Sequence, residues 1–169
     1  MLKNVVGFEE DWYYQNPMMQ REIIVRPVEE ADLSEWFCMR TLLWDETSEE
    51  DHQDEMMNIL EHPDFQFVLV AEAVDKGLIG FLEVSIRPFV EDCDTENVGY
   101  LEGWFVVPEY RRSGIGRSLV RGAEEWARAH GCTEMASDAE VGNEDSISAH
   151  RQLGYGETSR LVHLRKDLN

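Results

Sequence analysis

Three cysteines in 169 residues (Cys38, Cys93 and Cys132) make an odd count and show no metal-ligand spacing. That argues against a disulfide framework or a structural zinc site, and it predicts a reducing, cytoplasmic setting. Long apolar runs are also missing, so no segment reads as a membrane span. The first residues carry Glu9, Glu10 and Asp11 where a secretory signal would have a basic and then an apolar start. Internal repeats and low-complexity stretches are lacking. Positive charge is scarce: 15 Lys and Arg stand against 35 Asp and Glu, a net charge of −20. Binding to nucleic acid or to an anionic membrane needs a basic surface, so both partners are disfavoured. A polycation would be attracted and steered.

A hydrophobic content of 43% and an aromatic content of 10% suit one folded domain with a sizeable core. Residues 1–20 follow no periodic pattern, although Trp12, Tyr13 and Tyr14 make them more than an inert tail. They read as an extension ahead of a domain over residues 21–169. Ile23 to Pro27 predicts a first strand. Leu33, Trp36, Phe37, Arg40 and Leu43 have helical spacing. Thr47 with Glu50 three residues on reads as a capping box for a second helix that ends near His62-Pro63. Strands are expected over 65–72, 78–87 and 99–107, with Asp75-Lys76-Gly77 as a hairpin turn. Gly103 suggests a bulge in the third of these. A long helix then runs to His130-Gly131, followed by a strand over 133–138, a short helix over 143–153 and a last strand over 158–165.

The stretch Arg111-Arg112-Ser113-Gly114-Ile115-Gly116-Arg117-Ser118 stands between strand and helix. Its glycines permit tight turning and close approach of a ligand. The helix start offers unpaired N–H groups and partial positive charge, and the arginines add full charge. Together they predict an anion site, most simply for phosphates. The stretch lacks the Gly-Lys-Ser/Thr ending of a P-loop and has no Gly-x-Gly-x-x-Gly. Its Arg-x-x-Gly-x-Gly pattern after a strand resembles the acetyl-CoA pyrophosphate loop of the GNAT superfamily of N-acetyltransferases. The element order β-α-α-β-β-β-α-β-α-β resembles the same fold from Ile23 onward. Leu101-Glu102-Gly103-Trp104, Ala136-Ser137-Asp138-Ala139 and His150-Arg151-Gln152-Leu153-Gly154-Tyr155 are similar to segments of the aminoglycoside 6′-N-acetyltransferases.

The resemblance implies an α/β (α+β) GNAT fold, with a mixed, mostly antiparallel sheet flanked by helices and splayed at the fourth strand. It implies acetyl-CoA as co-substrate, a cationic aminoglycoside as acceptor and a homodimer. The acceptor amine attacks the thioester directly, which calls for a base, an oxyanion donor and an acid. Val106 or Val107 is expected to donate a backbone N–H to the oxyanion. Asn143 and Ser146 would meet the pantetheine arm, although either also reads as a helix N-cap. Glu83, Glu102 and Asp138, each on a strand or strand end, are the candidates for the base. Asp138 would hold the amine, Glu102 would take its proton and Glu83 would bind substrate. His150 stands where many members of the superfamily have an acidic tyrosine; a proton donor and a passive packing residue are both open readings. Trp44, beside Asp45 and Glu46, reads either as core or as an aromatic face for an aminosugar. Asp54, Glu55 and the loop 91–96 would line the same cleft. His52, His62 and His163 read as incidental. A polyamine or protein amine as acceptor, or a silent acetyl-CoA-binding module, are the competing readings.

Overall fold

A computed structural model describes residues 23–74 and 76–168. The expected extension over residues 1–20, and Asp75 of the hairpin turn, lie outside the described residues. The sheet begins with β1 (Ile23–Pro27), which is followed by α1 (Leu33–Leu43) and α2 (Glu49–Glu61). Then come β2 (Gln66–Ala73), β3 (Gly77–Arg87), β4 (Val98–Val106), α3 (Ile115–Ala129), β5 (Met135–Ser137) and α4 (Glu144–Gln152). The strands lie in the order β1-β2-β3-β4-β5. The first four are antiparallel, and β5 joins β4 in parallel after the α3 crossover.

Each face of the sheet buries its own core, because alternate side chains of a strand point to opposite faces. Leu82 and Val84 of β3 and Leu101 of β4 pack with Leu119, Val120 and Ala123 of α3. Phe81 and Phe105 pack on the other face with Trp36 and Met39 of α1 and Met56 of α2.

A bulge interrupts the alternation. On β3, Glu83 and Val84 are adjacent, yet their partners on β4 are Gly103 and Leu101. Glu102 is therefore the extra residue, one position from the expected Gly103. Before it, odd-numbered Leu101 faces α3. After it, even-numbered Trp104 and Val106 pack with that cluster while Phe105 joins the other. An added residue in one strand of a pair has this effect.

Two expectations are corrected. The N-cap of α2 is Ser48, not Thr47: Ser48 Oγ accepts from the Asp51 N–H at 3.1 Å and donates to the Asp51 carboxylate at 2.6 Å. Residues 158–165 form no strand; they are exposed and make no ladder with β5. Their apolar residues Leu161, Val162 and Leu164 find no sheet face to cover.

Candidate active site

The anion loop is built as its sequence suggests. Pro108–Tyr110 makes one 3-10 turn, after which Arg112 (φ 59°) and Gly114 (φ 90°) adopt left-handed backbone. Such alternation turns successive N–H groups into one concavity, with the start of α3 beneath it. Arg112 and Arg117 are exposed, and Arg111 donates from Nε to the Val106 carbonyl at 2.9 Å. The Ile115 side chain belongs to the core, so only its backbone faces the loop. Ser113 and Ser118 turn their hydroxyls onto the carbonyls of Tyr110 and Gly114, at 2.5 and 3.3 Å. Gly116 is required: a Cβ there would collide with the Trp104 ring.

Beside this loop the sheet parts. β5 pairs with β4 only from Gly99–Met135 to Leu101–Ser137, while β4 continues to Val106. The edge of β4 beyond Leu101 therefore has no strand beside it among the described residues. Val107 donates its N–H to Ile79 of β3 at 2.9 Å, so it is not available to an oxyanion. Successive peptide groups of a strand point to opposite edges, which leaves Val106 facing the open side. This separates the two valines that the sequence left equivalent.

His150 of α4 sits at the fork. Its Nδ1 lies 2.8 Å from the Ser146 carbonyl, and its Nε2 lies 3.1 Å from Ser137 Oγ, which in turn is 3.1 Å from the Leu101 carbonyl. Trp104 and Tyr155 meet the ring edge-on. With both nitrogens engaged, the imidazole clamps α4 to β5 where the strands separate. Trp104 Nε1 and the Tyr155 hydroxyl are buried there with no hydrogen-bond partner among the described residues. Burial, with Glu124 adding, pushes the Tyr155 phenol up to about 12. Asn143 caps α4 by accepting from the Ser146 N–H at 3.1 Å, the cap reading of that residue.

On the opposite face of the sheet lies a cleft of about 600 Å³. Its lining includes Trp44, Thr47, Asp54, Glu55, Glu83 and Glu102. The loop 91–96 does not line it; Asp94 and Thr95 instead give their N–H groups to Glu134. Glu83 is buried, and Arg40 Nη1 lies 2.6 Å from both its oxygens while Trp36 Nε1 donates at 2.9 Å. It is thus a counter-ion to Arg40 within the cleft lining. Burial raises its pKa, and Arg40 opposes that shift. Arg40 also donates to Glu55 and lies 4.7 Å from the centre of the Trp44 ring. Trp44 rests on Gly103, where a Cβ would collide with it, and tilts against Phe81. It is both core and cleft wall.

Glu102, the bulged residue, accepts from Arg87 Nε at 2.9 Å, from Arg87 Nη2 and from the Ser85 hydroxyl. Arg87 also lies 3.5 Å over the Tyr100 ring. Asp138 is exposed just past β5 and does not line the cleft directly. It acts on Tyr100: burial first, then the Asp138 charge, push that phenol up to about 12, with Glu102 adding and Arg87 opposing. Tyr100 therefore stays protonated across the neutral range.

Arg40, Arg87 and Tyr100 were not singled out as site residues from the sequence. The signals were there: Trp36 and Arg40 share a helix face, and Arg87 follows Glu83 and Ser85 on the polar face of β3.

Residues 32–155 match the acetyltransferase (GNAT) family. An aminoglycoside N(6′)-acetyltransferase type 1 from Klebsiella aerogenes is 44% identical over 152 residues, 89% of this chain and 100% of that relative. One from Acinetobacter baumannii is 41% identical over 85% of this chain and 98% of its own length. The solved structure of AAC(6′)-Iy in complex with the bisubstrate analogue CoA-S-monomethyl-acetylneamine superposes with a TM-score of 0.82 at 34% identity, covering 86% of this chain and 99% of that one. With its parted fourth and fifth strands, its arginine-glycine loop and a matching profile over most of its length, this chain belongs to the GNAT family of acetyltransferases.

Proposed function

We propose that this protein transfers acetyl from acetyl-CoA to the 6′-amine of aminoglycosides and so confers resistance to them. The observation that carries the reading is the meeting of two unlike sites at one bulge. A cationic loop and open strand edge lie on one side of Glu102, and a carboxylate-lined cleft lies on the other. An anionic cofactor and a polycationic acceptor need those two environments.

Acetyl-CoA supplies the activated thioester. The left-handed backbone at Arg112 and Gly114, with the α3 start, suits its pyrophosphate. Arg112 and Arg117 add charge. The pantetheine arm fits the edge of β4 freed from β5, with the orphaned Trp104 Nε1–H and the Asn143–Ser146 turn nearby. On the acceptor side, Asp138 receives the ammonium group and Glu102 takes its proton through a water. Glu83, Glu55 and Trp44 shape the wall. The neutral amine then attacks the carbonyl carbon. A C–N bond forms, and negative charge moves to the oxygen, where the Val106 N–H stabilises it. Collapse breaks the C–S bond, and the departing thiolate takes up the second proton, which the acylated nitrogen releases as the amide forms. His150 holds the fork open for this geometry. The chain would act as a homodimer in the cytoplasm. Cys38, Cys93 and Cys132 are all unpaired, which supports a reducing setting.

Release of free CoA in the presence of acetyl-CoA and kanamycin or tobramycin tests the reading. Acetylation at the 6′-nitrogen is expected, with no turnover of analogues that carry a 6′-hydroxyl. Turnover of spermidine or a peptide amine in preference, or of no amine at all, would sink it.

A further inference from the structure

His52 has no place in the chemistry above, yet it is the most completely buried ionisable side chain on α2. Burying an imidazole is costly unless both nitrogens find partners. Both do. Arg40 Nε, which can only donate, lies 3.4 Å from Nδ1, so Nδ1 is the acceptor. That leaves the proton on Nε2, which donates to the Trp44 carbonyl at 3.2 Å. Phe37 closes the ring from its edge.

These two partners hold the wall of the cleft. The guanidinium of Arg40 carries Glu83 on one nitrogen and Glu55 on another, and it is the third, Nε, that faces His52. The Trp44 carbonyl also accepts from the Thr47 N–H at 3.2 Å, so it anchors the turn that brings Trp44 and Thr47 to the cleft. His52 itself does not line the cleft. We propose that His52 is a positioning residue for the acceptor: from behind the wall it fixes the Arg40 fork and the Trp44 turn together, and so sets where Glu55 and the Trp44 ring stand. The inference deepens the acceptor reading above and rests on it for its kinetic part only.

The spacing of the two bonds selects the side chain. Leucine fills the space and makes neither bond. Glutamine offers an oxygen to Arg40 and an N–H to the Trp44 carbonyl. Asparagine is too short to reach both. We therefore compare His52→Leu with His52→Gln in protein labelled with 5-fluorotryptophan, the Trp44 line being assigned by its loss in Trp44→Phe. Thermal melts establish that each variant is folded. Should His52→Leu not fold, His52→Asn replaces it with the same expectations. The Trp44 fluorine resonance is expected to shift or broaden in His52→Leu and to return in His52→Gln. With kanamycin as acceptor, KM rises about tenfold in His52→Leu while the KM for acetyl-CoA stays unchanged, and His52→Gln recovers most of the loss. A Trp44 resonance unmoved in the folded His52→Leu protein overturns the proposal. So does an equal loss in both KM values, or a failure of glutamine to restore what leucine removed. If the wild-type protein turns over no aminoglycoside, the acceptor reading fails, and the fluorine measurement still decides whether His52 positions the wall.

Discussion

At the scale of single residues, the site divides its carboxylates by their partners. Glu83 is neutralised by Arg40, Glu102 is oriented by Arg87 and Ser85, and Asp138 stands exposed beside Tyr100. Exchange of each for its amide separates their roles. Asp138→Asn weakens the hold on an ammonium group, so the acceptor KM should rise about tenfold with little change for acetyl-CoA. On the proposed mechanism Glu102→Gln removes the proton acceptor and should lower kcat by roughly 10²-fold. Steady-state kinetics with both substrates varied distinguishes the two. A different pair contributes to the acid limb of stability. Arg26 binds both oxygens of Asp32, at 2.6 and 2.9 Å, and holds its carboxyl below the ordinary 3.8. A depressed folded value means that the unfolded chain binds the proton more tightly. The contribution is therefore complete above the unfolded value and is lost as pH falls through the folded one. Melting temperatures taken downward from pH 5 should drop less steeply in Asp32→Asn than in the wild type.

At the scale of elements, caps and close approaches can be tested one by one. Ser48→Ala should cost about 1 kcal/mol of stability, because it removes the acceptor for the first turn of α2. Thr47→Ala should cost much less by the same chemical denaturation, the reverse of what the sequence pattern Thr47–Glu50 implies. In α3, Gly116→Ala sets helix propensity, which favours alanine by about 1 kcal/mol, against a collision with the Trp104 ring. The ring is rigid and packed against His150, so the collision wins. A lower melting temperature and a raised KM for acetyl-CoA are expected. The elements themselves were largely legible. Turn residues and alternation place β1 to β4, α1 and α3 within a residue or two. The strand expected over 158–165 was not found, since alternating apolar residues specify a strand only where a sheet edge takes them. Ser48 and Thr47 are adjacent and both can cap, and only the backbone turn, which puts Ser48 Oγ within 3.1 Å of the Asp51 N–H, decides between them. His52 was dismissed for want of ligand spacing, although its distance of four from Met56 already turned it inward.

For the whole molecule, the net charge of −20 becomes a statement about rates. A polycationic acceptor is drawn to the carboxylate-lined cleft, and an anionic cofactor must approach against the general field through one basic loop. Added salt shortens the screening length from about 10 Å at 0.1 M to about 3 Å at 1 M. The kcat/KM for the acceptor should therefore fall steeply between those conditions, and the value for acetyl-CoA should hold or rise. A fall of the same size for both substrates would remove steering as the cause. The loop proposed for the cofactor was readable because its arginines and glycines are contiguous. The cleft was less so, since Arg40, Glu55, Glu83 and Trp44 meet only after the chain has folded across three elements. The bulge at Glu102 leaves one more consequence, for the reading frame of the strand. Residues on either side of it obey opposite parity, yet deleting Glu102 would leave Leu101, Gly103, Trp104 and Phe105 in regular alternation opposite Val84, Glu83, Leu82 and Phe81, each on the face it already has. The strand would keep both faces and lose only the carboxylate that the bulge adds to the cleft lining. The extra residue thus adds a charged group to the cleft without turning its neighbours.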